Sequence, residues 1–112
     1  MLTYRTRDRT RGERLPLEWV VKKQTLDNAR FWGLHDRGVI RSGLKADVNV
    51  IDYDALQVGK PYLVNDLPGG ATRLMQSATG YKATIVAGQI VQRDGQETGA
   101  RPGGVVRGRH SL

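Results

Sequence analysis

Four carboxylates lie close together in the stretch GLHDRGVIRSGLKADVNVIDYD, residues 33 to 54: Asp36, Asp47, Asp52 and Asp54. Clustered carboxylates can bind a cation or act as a general acid and base. Their spacing does not match an EF-hand calcium loop. Asp36 is beside Arg37 in a predicted turn, Asp47 enters a predicted strand, and the other two leave it. Turn and strand-end roles are therefore favoured over catalysis.

Two histidines, His35 and His110, are the other candidate metal ligands. One lies in a predicted turn and the other in a Gly-rich tail, whereas a catalytic zinc needs several converging ligands. The chain has no Cys, which excludes a disulfide, a thiolate zinc site and a cysteine nucleophile. We therefore predict no catalytic, cofactor-binding or metal-ligating residue in this chain.

The charge distribution raises the question of an anionic partner. The net charge is +7, and arginines concentrate at the two ends: Arg5, Arg7, Arg9, Arg11, Arg14, Arg101, Arg107 and Arg109. Nucleic-acid modules usually add stacking aromatics or a recognition helix, and Tyr4 is the only aromatic in the first fourteen residues. No phosphate-binding glycine motif is present. We expect no specific nucleic-acid partner. A small basic module that binds nucleic acid or another polyanion remains the alternative.

The residue pattern in the first third of the chain predicts a helical segment. Residues 15 to 32 are expected to be helical, with Pro16 at the first helical position and Gly33 ending the segment. Thr25 is a typical N-cap, so we predict a break there and a second short helix. Residues 1 to 14 are predicted to be a loop or tail. One helical face should pack on a larger domain: Leu17, Val20 and Val21. Packing is also favoured over ligand stacking for the aromatic residues Trp19, Phe31 and Trp32.

The remainder predicts short strands and turns. Strands are expected over residues 46–53, 62–66 and 72–78, followed by a hairpin over 81–95. Ala87-Gly88 should form its tight turn and Asp94-Gly95 a second one. The fold class is therefore α+β, with an N-terminal helical segment followed by mostly antiparallel strands. We divide the chain into residues 1–34, a basic lead-in with terminal helices, and residues 35–112, a small β portion with a Gly-rich basic tail.

Several of these motifs occur together in a known family. The segment TLDNARFWGLHDRGVIRSGLKADVNVIDYDAL resembles the C-terminal region of the amidohydrolase superfamily. There a short helix ending in Gly-Leu precedes a G-x-I/V-x-x-G turn and an ADV or ADL strand. The matching positions, in order, are Gly33-Leu34, Gly38-Val39-Ile40, Gly43, Ala46-Asp47-Val48 and Asp52. The hairpin ATIVAGQIVQRDG resembles the closing unit of the same family.

A finer resemblance is to the D-aminoacylase branch, the N-acyl-D-amino-acid deacylases. It is carried by RDRTRGERLPLEWVVKKQT, DRGVIRSGLKADVNVID, DLPGGATRLMQ and DGQETGARPGGVVRG. The resemblance implies a parent enzyme that hydrolyses a non-peptide C–N amide bond with metal-activated water, using zinc. Family metal ligands are a His-x-His pair, a bridging group, two further His and a late Asp on barrel strands, and none matches a position here. The chain is thus expected to be an inactive C-terminal fragment without zinc of its own.

The resemblance also implies which partners the chain needs. They are the catalytic barrel, which takes about 250 residues, and the N-terminal strands of a composite β-sandwich. Without them, apolar surface and strand edges are exposed, so we expect the isolated chain to form a homo-oligomer by strand pairing or exchange. No apolar run approaches the ~20 residues of a membrane span, and no secretory signal is evident. The lack of Cys fits a reducing compartment, so we expect a cytoplasmic location.

Overall fold

The structure, a computed structural model, describes residues 1–108. Helical elements come first: a π-helical turn at Tyr4–Asp8, α1 at Leu17–Lys22, a π-helical segment at Lys23–Asp27, and α2 at Asn28–Phe31. The strands are β1 Val48–Ile51, β2 Gln57–Val58, β3 Tyr62–Val64, β4 Arg73–Met75, β5 Ala78–Thr79, β6 Tyr81–Val86, β7 Gln89–Arg93 and β8 Gln96–Glu97, with a 3₁₀ turn at Pro68–Gly70. All strand pairs are antiparallel, which confirms the α+β class.

Residues 17–31 form one uninterrupted helical rod, so the predicted break at Thr25 is wrong. The Thr25 hydroxyl donates to the carbonyl of Val21 at 2.7 Å and therefore bonds back along the helix instead of capping a new one. The helix continues through Thr25 as a π-helical segment, Lys23–Asp27. Its end is as predicted. Gly33 has φ 71°, and the N–H of Leu34 bonds to the carbonyl of Ala29 at 2.8 Å, as in a Schellman motif.

The predicted apolar helix face is only partly buried. Val20 is fully buried and Leu17 is half-buried, but Val21 is 42% exposed. The aromatic side chains also face outward, since Phe31 is 80% exposed and Trp32 is nearly as open. Packing of these residues within the described part of the chain is therefore incomplete.

The N-terminal residues are more ordered than the sequence indicated. The predicted loop or tail is wrong for Tyr4–Asp8, which forms a helical turn. The Thr6 hydroxyl contacts both the carbonyl of Leu2 and the hydroxyl of Tyr53. The N–H of Leu15 returns to the carbonyl of Arg5 at 2.9 Å. These bonds are long-range or depend on side chains, and hydrophobic periodicity does not report them.

The main sheet has the strand order β1-β6-β7-β8. The β6–β7 hairpin closes through Ala87 (φ 49°) and Gly88 (φ 78°), and β7–β8 through Asp94 (φ 50°) and Gly95 (φ 79°). Two successive residues with positive φ define the hairpin turn whose twist matches that of the flanking strands. Both predicted turns are confirmed.

Two short ribbons, β2–β5 and β3–β4, accompany the sheet. The predicted strands 62–66 and 72–78 are confirmed in part: β3 occupies the start of the first range, and β4 lies within the second, whose last residue belongs to β5. β2 and β8 were not predicted. The predicted strand 46–53 shortens to β1. It ends there because Asp52 Oδ1 accepts the N–H of Ala55 at 3.3 Å and the chain turns.

The chain is unusually open for its size. Its accessible surface is 9165 Å², whereas a compact monomer of 12.4 kDa exposes roughly 6,100 Å². Its radius of gyration is 16.9 Å, against about 13 Å for a compact domain near this length. Within residues 1–108, the buried apolar side chains are Val20, Ala29 and Leu56, and of these only Val20 is fully buried. In that same part of the chain, no helix has both the length and the apolar character needed to cross a bilayer.

Candidate functional site

Asp47 is the best-connected of the four clustered carboxylates. Its Oδ1 accepts the backbone N–H of Ala87 at 2.9 Å, and its Oδ2 lies 3.7 Å from Nη1 of Arg37. The preceding carbonyl, that of Ala46, accepts the N–H of Gly88 at 3.0 Å. The segment that enters β1 thus holds both residues of the β6–β7 turn. We call this arrangement the turn clamp.

Arg37 links the turn clamp to the loop before it. Its Nε and Nη2 donate to the two carboxylate oxygens of Asp36 at 3.0 and 3.3 Å, a bidentate geometry. The hydrogen bond lowers the pKa of Asp36 and raises the pKa of Arg37. Asp36 is solvent-exposed, so the pair orients the arginine more than it stabilises the chain.

Gly38 brings this loop into direct contact with the helical rod. A Cβ built on Gly38 would lie 2.8 Å from the Cβ of Ala29 and 3.1 Å from the Cα of Leu26, and its φ is 96°. Only glycine fits such an approach with this backbone. An open, mainly apolar groove of about 260 Å³ lies beside the contact, between Trp32 and Arg37.

The other two carboxylates belong to a separate turn. The backbone N–H of Asp52 donates to the carbonyl of Gly80 at 2.8 Å, in addition to the Asp52 side-chain bond to Ala55. Asp54 contributes its backbone carbonyl, which accepts Nη1 of Arg7 at 3.2 Å. The turn and strand-end roles expected for these residues are therefore observed, and the four carboxylates do not converge on one point.

Arg7 fastens the N-terminal turn to the loop after β1. Its guanidinium donates to the carbonyls of Tyr53, Asp54 and Leu56, the last at 2.7 Å, and pairs with Asp8 at 2.7 Å. It also lies 5.5 Å from the centre of the Tyr53 ring. Five donors in a fixed plane allow one arginine to serve several acceptors at once. Sequence reasoning had assigned this residue only to a basic end.

Other N-terminal arginines also bind the chain itself. Nε of Arg9 donates to the carbonyl of Arg11 at 2.6 Å, and Nε of Arg14 donates to the carbonyl of Arg9 at 3.2 Å. Near the other end, Arg101 pairs with Glu97 at 3.1 Å. Arg109 lies outside the described residues. Part of the positive charge is thus committed to internal contacts.

His35 does not complete a metal site with these carboxylates in the part of the chain that the structure describes. His35 is exposed, and His110 lies outside the described residues. Among residues 1–108, no three side chains of the types His, Cys, Asp and Glu lie together. Zinc needs at least three such protein donors. The described residues therefore do not fit the zinc that the amidohydrolase resemblance implies for the parent.

A second, larger concavity of about 780 Å³ lies between the β3–β4 ribbon and β6. Tyr62, Tyr81, Lys82 and Asp94 are among the residues that line it. These side chains are mixed in character and largely exposed. They give this concavity an open lining of mixed polar and apolar character.

The signal for the turn clamp was partly present in the sequence. Alanine at a position with positive φ is unfavourable, so a turn at Ala87-Gly88 requires support from elsewhere. The sequence indicated the turn but not its supporting residue, since Asp47 is forty positions away. The contacts of Arg7 with residues 53–56 left no sequence signal that we recognise.

The fold and these contacts define an α+β segment whose sheet is braced by a loop carboxylate and whose surface carries exposed apolar side chains. A family model described as the amidohydrolase family matches residues 1–92, which include the turn clamp and most of the sheet. The chain belongs to the amidohydrolase family. Searches of curated proteins and of solved structures find no match.

Proposed function

We propose that this chain is the C-terminal part of an N-acyl-D-amino-acid deacylase and serves as structural support for a catalytic barrel. In the parent enzyme, a zinc-activated water hydrolyses the amide bond that joins an acyl group to a D-amino acid. The chain contributes the last helices beside that barrel and the C-terminal strands of a composite β-sandwich. On its own it is inactive and holds no zinc.

The observation that carries this proposal is the excess surface. The chain exposes roughly 3,000 Å² more than a compact monomer of its mass. Permanent interfaces bury about 2,000–5,000 Å² or more in total, which is roughly 1,000–2,500 Å² or more on each partner. An excess of this size supports a segment whose natural position is against a large partner, with helix residues such as Val21 and Phe31 facing it.

The roles of the motif residues provide a second line of support. The Asp of the ADV motif, Asp47, is occupied by a turn N–H and by Arg37. Gly38 is required by its approach to Ala29. The residues that carry the family resemblance therefore brace the sheet and the helix, which favours a supporting role over a catalytic one.

Assignment to the D-aminoacylase branch rests on resemblance, chiefly in the Arg-rich lead-in and in DLPGGATRLMQ. Two features of these segments are structural: Arg7 fastens the lead-in to residues 53–56, and Arg73 forms a bidentate pair with Asp66 at 2.7 and 2.5 Å across the β3–β4 ribbon. The ending DGQETGARPGGVVRG lies wholly beyond the matched range. We place the parent in the cytoplasm because the chain has no Cys.

The proposal is tested by finding the polypeptide that carries this sequence in its source cells. An antibody to residues 54–67 is used on a denaturing gel, and the band is identified by peptide mass spectrometry. We expect a polypeptide at least roughly three times the 12.4 kDa of this chain, since a barrel needs about 250 residues. Its upstream peptides should contain a His-x-His pair and a late Asp.

A longer polypeptide without those ligands would refute the deacylase assignment while leaving a supporting role intact. The polyanion-binding alternative gives a different result. There the purified chain would bind nucleic acid with a preference for particular bases, and log affinity would fall steeply with log salt concentration.

A further inference from the structure

The main sheet ends in an open strand edge. β1 pairs with β6 on one side, and within residues 1–108 no strand pairs with its other side. An edge strand leaves alternate N–H and C=O groups without sheet partners, and these groups are satisfied by another extended strand. The edge therefore specifies the kind of partner that fits it.

The composition of β1 leaves this edge without the usual protection. Natural edge strands carry Lys, Pro or inward-pointing charges that prevent pairing. β1 reads Val-Asn-Val-Ile and has none of these. The one register shift in its pairing with β6 lies between Val50 and Ile51, at the end of β1, and its extra residue belongs to β6. The acidic residues on either side of it are already engaged, Asp47 by Ala87 and Asp52 by Ala55.

The opposite edge of the same sheet is different. β8 has only two residues, Gln96 and Glu97, and Glu97 is paired with Arg101. Pro102 follows shortly after and cannot donate a backbone hydrogen bond. A short, charged edge next to a proline is a poor template. Strand addition is thus directed to β1.

We propose that two copies of this chain pair through β1, antiparallel, about a two-fold axis at Asn49. In this register Val48 lies opposite Val50 of the second copy, and Asn49 lies opposite its counterpart. Directly opposed residues share a sheet face, so the valines extend the apolar face lined by Ile85 and Ala83. The two asparagines meet on the other face, where their side-chain amides can bond.

Other two-fold registers fit less well. An axis between Asn49 and Val50 places asparagine opposite valine, and an axis at Val50 places Val48 opposite Asp52. With the axis at Asn49, Asp47 lies opposite Ile51 and Asp52 opposite Ala46, so like charges do not oppose each other. The alternation of apolar and polar residues therefore selects one register. The proposal concerns the 112-residue chain alone and does not depend on the parent being a deacylase.

The net charge gives the association a characteristic salt dependence. Two copies at +7 each repel one another, and added salt screens that repulsion. Dimerisation should therefore strengthen with salt, whereas binding to a polyanion weakens. Because β1 has only four residues, the dimer should be weak and reversible.

Sedimentation of the whole chain over a range of concentrations and salt tests the association. We expect a monomer–dimer equilibrium that Val50→Lys weakens at least roughly tenfold. Val50 is 47% exposed. The matched control is Val58→Lys, since Val58 is 63% exposed on β2 and not in the main sheet. A monomer at every concentration, or equal weakening by both variants, overturns the proposal.

A cysteine crosslink tests the register independently of whether Val50→Lys folds. The chain has no Cys, so Asn49→Cys introduces a single thiol. Opposed residues have Cα atoms about 4.5–5.5 Å apart, within the ~4.4–6.8 Å that a disulfide spans. Under mild oxidation Asn49→Cys should give a covalent dimer, and Val48→Cys should crosslink with Val50→Cys when the two are mixed. Equal crosslinking of Val58→Cys would contradict the register.

Discussion

The carboxylate of Asp47 accepts the backbone N–H of Ala87 at 2.9 Å, and this single bond joins two motifs that are forty residues apart in the sequence. Ala87 occupies a left-handed conformation (φ 49°) that alanine rarely adopts. The hydrogen bond that the Ala87 N–H donates to Asp47, with the one that the Gly88 N–H donates to the carbonyl of Ala46, gives this turn support from outside its own hairpin. The aspartate of the ADV motif thus stabilises the hairpin turn through its carboxylate.

Removal of the Asp47 carboxylate should destabilise the chain through this bond. We expect Asp47→Ala to lower the free energy of unfolding by about 1–2 kcal/mol, because the N–H of Ala87 loses its acceptor. Asp47→Asn keeps an acceptor oxygen and loses only the attraction to Arg37, so its cost should stay below about 1 kcal/mol. Urea denaturation measures both. Equal losses in the two variants would show that the charge, and not the hydrogen bond, is what matters.

Gly38 should tolerate no side chain. Gly38→Ala combines left-handed strain of roughly 1–2 kcal/mol with a clash against Ala29 and Leu26 worth roughly 1–3 kcal/mol. Gly43→Ala is the matched control, because Gly43 has a similar φ of 85° and open space around it. Thermal unfolding of the two variants should separate them. Similar midpoints would contradict the close contact between this loop and the helix.

The same substitution should have opposite effects at two alanines of the hairpin. Ala87→Gly removes left-handed strain and adds some freedom to the unfolded chain, for a net gain of about 0.5–1 kcal/mol. Ala83→Gly, in the middle of β6, should lose about 0.5–1 kcal/mol instead. Chemical denaturation compares both variants with the unsubstituted chain. A loss at both positions would mean that Ala87 is not strained.

Arg7 should determine whether the N-terminal turn stays in place. Arg7→Ala removes donors to three carbonyls of the 53–56 loop, so the amides of Tyr4–Asp8 should exchange at least about tenfold faster. Arg7→Lys should be intermediate, since lysine lacks the planar fork. Arg11→Ala serves as a charge-matched control and should change little. Hydrogen-exchange mass spectrometry distinguishes these outcomes.

Acid should weaken the chain through exposed or half-buried carboxylates that pair with a nearby cation. Four have a pKa below the ordinary value because each accepts a hydrogen bond from Arg or Lys: Asp8, Asp27, Asp36 and Asp66. A lowered pKa stabilises the folded state above the unfolded value of about 3.9, and that contribution is lost as pH falls through the lower folded values.

The free energy of unfolding should therefore begin to fall only below about pH 4, and only modestly, because solvent screens these pairs. Denaturation between pH 2 and 7 measures this, with Asp66→Asn expected to remove part of the slope. A main loss near pH 6 would instead implicate a histidine.

Local features of the fold were predictable because local chemistry determines them. The helix end at Gly33 and the turns at 87–88 and 94–95 were predictable from their glycines, Gly33, Gly88 and Gly95, which adopt positive φ without strain. The π-helical segment around Thr25 was not predictable, since an N-cap residue and a back-bonding residue have the same sequence appearance. The division of the chain at residue 34 stays a prediction.

The long-range contacts could not be predicted from the sequence. Arg7 was assigned to a basic end because a charge pattern does not show which carbonyls a guanidinium reaches. Asp47 was correctly placed at a strand entrance, but its partner Ala87 could not be inferred without the register of the sheet. Val21 is exposed although it lies on the predicted apolar face. Periodicity predicts which side of a helix is apolar, but it does not predict whether another element covers that side.

The most direct test of the central claim is a joint measurement of zinc content and deacylase activity on the purified 112-residue chain, with N-acetyl-D-amino acids as substrates. We predict no stoichiometric zinc and no turnover, because the described carboxylates are spread among turns and an ion pair. About one zinc per chain, with turnover that His35→Ala abolishes, would contradict it and establish a metal site within this chain.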